Sequence, residues 1–166
     1  MPTICRLIRL SPADAELLVA NPSSLPARVQ SARDRSDVYR YWHAIEYLLS
    51  QHGPENPAVR WLEMGTPVSK ATAEIPAARV LSASQTKELD AAIRTITPED
   101  LIPHYDAAAL DAAHVYPATW QFWEETFDPL GQVLEHYWFL QQFASQCAAA
   151  GAAALLYFDV LAEGQV

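Results

Sequence analysis

The hydrophobic pattern changes period several times along the chain, and each change predicts an element. Thr3 to Leu10 alternates imperfectly between polar and apolar side chains through Ile4, Arg6, Ile8 and Arg9, and its length and β-branched residues predict a strand. Ser11-Pro12 then opens a helix: Ser11 caps, Pro12 fits the first helical position, and Asp14 and Glu16 favour the positive end of the dipole. Asn21-Pro22 ends it, and Pro22 to Arg35 reads as loop. Val38, Tyr41/Trp42, Ile45 and Leu48/Leu49 recur at helical spacing, predicting a helix capped by Ser36 or Asp37 and stopped at Gly53-Pro54. Residues 54–75 are broken by Pro54, Pro57, Gly65 and Pro67 around a short apolar patch.

Ala77 to Leu81 reads as a short strand, and Ser82 with Gln85 forms a capping box for a helix carrying Leu89, Ala92, Ile93 and Ile96. Short helices are expected after Thr97 and from Asp106. The longest helix should run from Pro129 to about Ala150, capped by Asp128 and closed by a left-handed turn at Gly151. Ala153 to Val160 is an apolar strand buried on both faces. Strands near 3–10, 77–81 and 153–160 with helices between them predict an α+β fold, a small mixed sheet packed by several helices, in one domain over residues 1–166.

Charge narrows the range of partners. The 166 residues carry a formal net charge of -9, which argues against nucleic acid and anionic membranes, since both need a cationic surface. Residues 1–83 hold nine basic and eight acidic side chains, whereas residues 84–166 hold two and twelve. No Lys or Arg follows Arg94, so the later carboxylates either face water or await a cationic partner. Two cysteines, Cys5 and Cys147, make neither a disulfide framework nor a zinc site. The N-terminus lacks a signal-peptide pattern, and the longest uncharged apolar run is too short to span a bilayer, so a cytoplasmic location is expected.

Catalytic motifs are scarce. The five glycines form neither a P-loop nor a dinucleotide fingerprint, there is no G-x-S-x-G elbow or H-E-x-x-H, and no cofactor or metal is expected. His43 and Glu46, three apart on the second helix, project from one face. A carboxylate beside an imidazole suits general acid–base work or two ligands of a metal site, and equally suits the polar side of an amphipathic helix. Aromatic residues are dense at Tyr39, Tyr41, Trp42 and Tyr47, again at Tyr116, Trp120, Phe122, Trp123 and Phe127, and again on the long helix. A small domain does not seal so many Trp and Tyr side chains completely, so some of these should line a groove. Trp42, His43, Glu46, Tyr116, Trp120 and Glu124 are the candidate groove residues.

Several stretches resemble a known family: YRYWHAIEYLL at 39–49, RWLEMG at 60–65, ARVLSASQTKELDAAI at 78–93, DLIPHYDAAALDAAHVYP at 100–117, and LGQVLEHYWFLQQFASQCAAAGAAALLYF at 130–158. Their order resembles the YfbM-like family of uncharacterised bacterial proteins. The resemblance implies a compact α+β domain and no established activity. It also implies that Glu46 stands where the family has histidine and His43 where aspartate is more usual, which weakens an enzyme reading taken from relatives. Tyr116-Pro117 matches the family's hydrophobic-Tyr-Pro step.

Three functions compete at this point. The first is a non-catalytic binding domain with an acidic, aromatic-lined groove, such as an antagonist of a basic protein partner, for instance a toxin. The second is a small hydrolase or transferase using His43 and Glu46. The third is a structural subunit of a homodimer with a self-complementary aromatic patch.

Overall fold

The computed structural model describes residues 3–72 and 75–160. Its frame is a five-stranded sheet in the order β2-β1-β5-β4-β3, formed by β1 (Thr3–Leu10), β2 (Arg35–Tyr39), β3 (Thr66–Pro67), β4 (Arg79–Leu81) and β5 (Ala153–Val160). Every neighbouring pair is antiparallel, so the mixed sheet expected from the sequence is corrected to a purely antiparallel one within the α+β class. The longest ladder joins the two ends of the chain, Thr3 opposite Val160 through Leu10 opposite Ala153.

Alternation along these strands divides the core in two. Cys5, Leu7, Leu81, Ala154 and Leu156 face one side, and Ile8, Leu10, Val80, Ala153, Leu155 and Tyr157 face the other. The larger core lies under α3 (Trp42–His52), α4 (Ala83–Ile93), α5 (Pro98–Leu101), α6 (Ala107–Ala112), α7 (Trp120–Glu124) and α8 (Pro129–Ala150). The smaller core is covered by α1 (Pro12–Ala20) and α2 (Leu25–Ser31). Because β5 is central and covered on both sides, its residues through Tyr157 are buried, as its unbroken apolar run predicts.

The predicted caps are present. Ser11 accepts from the Asp14 N–H, Ser82 and Gln85 close a capping box, Asp106 accepts from Ala109, Asp128 accepts from Gly131, and Gly151 takes φ 60° to end α8. The second predicted helix is corrected at its start. It begins at Trp42, and the preceding Arg35–Tyr39 forms β2, so neither Ser36 nor Asp37 caps it. The Pro22 to Arg35 stretch, expected as loop, contains α2.

Candidate functional site

The start of α3 is tied to two distant parts of the chain. The Trp42 indole is buried, donates from Nε1 to the Thr3 carbonyl at 3.4 Å, and meets Phe158 edge-on. One face of its neighbourhood holds the His43 ring, nearly parallel at 5.1 Å, and another the Tyr116 ring at 5.6 Å. The Tyr116 hydroxyl accepts the Thr3 N–H at 2.6 Å, and the Tyr116 N–H donates to His43 Nδ1 at 3.0 Å. An Nδ1 that accepts leaves the ring proton on Nε2, so His43 is the neutral Nε2–H tautomer. Burial lowers the His43 pKa in the same sense.

The segment that delivers Tyr116 is held in a costly backbone shape. His114 and Ala118, on either side of it, have φ of 53° and 58°, a region that side chains with a Cβ seldom adopt. Val115 is buried between them, and its carbonyl accepts from both the Ala118 N–H and Trp120 Nε1.

Beside this stack, α3 borders an open recess of about 330 Å³. Its lining includes His43, Glu46, Ser50, Arg60, Glu63 and Val115. Glu46 is half-buried there, and desolvation, reinforced by the charge of Glu63, raises its pKa from 4.5 to about 7. Among the described residues neither Glu46 nor Glu63 has a salt-bridge partner, and Arg60 pairs with neither. The recess therefore presents the carboxyl groups of Glu46 and Glu63, the Arg60 side chain and a neutral imidazole. Among the described residues no group of three or more His, Cys, Asp or Glu is placed to hold a metal ion.

The six candidate residues thus separate. Trp42, His43 and Tyr116 converge, and His43 shares the recess with Glu46. Trp120 lies away from solvent, fully buried among Tyr41, Tyr105 and Trp123. Glu124 is exposed on α7, where, after burial, its charge is the next cause that raises the Tyr105 pKa. Sequence reasoning missed Glu63 and Arg60. No local pattern points to them: the fully buried Trp61 between them anchors the 57–63 turn, and its polar neighbours flank the recess as a result.

A family model described as a domain of unknown function (DUF1877) matches residues 1–157. The chain belongs to the DUF1877 family. It is similar in structure to YfbM, a protein of unknown function from Escherichia coli known from its crystal structure. The TM-score is 0.70 at 10% identity, over 94% of this chain and 99% of that one, which shows a shared fold alone. No curated protein matches the sequence. Among the described residues no helix is long and apolar enough to cross a membrane.

Proposed function

We propose that the chain is a non-catalytic binding domain whose recess beside α3 receives a cationic side chain of a basic partner. The observation that carries this reading is the sharing of one recess by Glu46 and Glu63 with, among the described residues, no salt bridge to either, not even from Arg60 of the same recess. A lysine or arginine placed between them relieves their mutual repulsion and restores the charge that burial of Glu46 disfavours. The Nε2–H of His43 is a donor for a carbonyl next to that side chain, which suits a peptide backbone. The ten-charge excess of acid after residue 83 steers a basic partner towards the molecule. This places recognition on a polar recess beside the Trp42–Tyr116 stack rather than on an aromatic groove extending to Trp120 and Glu124.

The test is calorimetric titration with a short oligoarginine peptide. Binding is expected to weaken as salt rises, and Glu46→Gln with Glu63→Gln together should lower affinity about tenfold, the scale of one lost charge-assisted contact. Equal affinity for the wild type and the double variant, or affinity indifferent to salt, would refute the reading.

One observation favours a hydrolase or transferase instead: a carboxyl group near pKa 7 beside a neutral imidazole on an open recess. Because His43 also holds the Tyr116 backbone, Glu46→Gln is the cleaner probe of that alternative. Turnover of any substrate that survives Glu46→Gln unchanged excludes it.

A further inference from the structure

The sheet has two edges that are treated differently. β3 is two residues long and ends in Pro67, a blunted edge. β2 carries no proline, and no strand of the described residues lies on its outer side. The Asp34 carbonyl accepts the Arg9 N–H of β1, and Ser36 pairs with Leu7. Alternation then turns the N–H and C=O groups of Arg35 and Asp37 towards the open side.

The side chains on this edge are self-complementary. Arg35 and Asp37 lie two apart and so share one face of the strand. Arg35 is fixed by donating to the carbonyls of Val29, Gln30 and Ala32 at the end of α2. Asp37 is exposed, and its neighbour Arg6 lies 3.9 Å from it and 3.6 Å from Asp159, divided between two carboxylates. An antiparallel copy of β2 centred on Ser36 sets each Arg35 opposite the other copy's Asp37. Centring on Asp37 instead sets two like charges together, so the charges select one register.

The face above this edge is also unlike a solvated helix surface. Glu135 is the only Asp, Glu, Lys or Arg in the 22 residues of α8. Trp138, Gln142 and Gln146 form an exposed stripe along it, with Trp138 49% exposed. Together with Phe139 and Phe143 they form the α8 side of a groove of about 320 Å³ whose β2 side is Asp34, Arg35 and Ser36, so the charge at this face comes from the strand edge and not from the helix. Aromatic enrichment and missing charge are marks of an interface centre.

We infer that β2 pairs with β2 of a second copy about a two-fold axis through Ser36, continuing the sheet across the pair and bringing the two Trp138 stripes face to face. The axis stands normal to the sheet, so both copies of α8 lie on the same side of the junction.

Sedimentation equilibrium of the full chain up to about 100 µM should give a mass approaching twice 18.4 kDa, depending on concentration. Asp37→Lys sets Lys opposite Arg35, and Arg35→Glu sets Glu opposite Asp37, so each variant alone should be monomeric. An equimolar mixture of the two restores both opposite-charge pairs and should dimerise. Trp138→Glu, which leaves β2 and the α2 cap intact, should also be monomeric and covers the case in which Arg35→Glu fails to fold. A wild type that stays at 18.4 kDa overturns the inference. So does a dimer that survives Asp37→Lys and Trp138→Glu, or a mixture that remains monomeric. An edge that pairs only with a strand from an unrelated peptide overturns it as well.

Discussion

At Glu46, burial and the charge of Glu63 act in the same direction, and both disfavour the ionised carboxylate. The folded protein therefore holds this proton up to about pH 7, while the unfolded chain releases it near 4.5. Between those values the native state binds more protons, so the Glu46 contribution to stability falls as pH rises and stays low above 7. Glu46→Gln removes the titration. The variant should match the wild type near pH 4 and exceed it by about 1–2 kcal/mol at pH 8, a figure reduced for partial exposure. Urea unfolding of both proteins at the two pH values checks this, and a variant whose advantage over the wild type is no larger at pH 8 than at pH 4 contradicts it. The pairing of His43 with Glu46 on one helix face was legible from their spacing alone. The contribution of Glu63 was not, because it arrives from a separate turn whose position depends on the burial of Trp61. Nor was the bond from Tyr116 N–H to His43, which joins residues 73 apart.

Element boundaries were legible wherever the signal is local. A capping residue and its N–H partner are three positions apart, so Ser82 with Gln85 and Asp128 with Gly131 announce themselves in the sequence. β2 was hidden because Val38 continues the helical spacing of Tyr41, Trp42 and Ile45, and only the free side of β1 draws it into the sheet. The start of α7 depends on a distant group in the same way. Thr119 makes no side-chain cap, and Asp111 of α6 instead accepts from the Trp120 N–H at 2.8 Å and the Gln121 N–H at 3.1 Å. Burial acts against the Asp111 charge, yet these bonds outweigh it and hold the carboxyl below its ordinary range. Asp111→Ala should cost about 1 kcal/mol, the scale of a lost N-terminal cap. Hydrogen exchange should show faster opening at Trp120 and Gln121 than in α8, and unchanged exchange at those two amides would mean that packing of Trp120 alone holds α7.

For the whole molecule, the α+β class could be read from the alternation of periods, but strand order could not, since the β1–β5 ladder pairs residues about 150 positions apart. That pairing also determines how charge is distributed. The near-neutral first half and the acidic second half meet along a shared sheet, and the salt bridge from Arg6 to Asp159 crosses between them. With no Lys or Arg after Arg94, the carboxylates of α6, α7 and α8 have no cation near them in sequence, and a net charge of -9 is held in a compact volume. Unfolding spreads those charges apart, which makes their repulsion a cost of the folded state. Salt screens repulsion between exposed charges and has less effect on the few partly buried pairs. The melting temperature should therefore rise by a few degrees between about 20 mM and 500 mM sodium chloride, most of it below about 150 mM where the screening length changes fastest. Scanning calorimetry of Trp138→Glu separates this effect from association, because that variant loses the aromatic contact, which salt does not restore, and it keeps the salt bridges of the first half. A melting temperature that falls with salt in that variant would mean that the salt bridges of Arg6, Arg9 and Arg28 outweigh the repulsion among the later carboxylates.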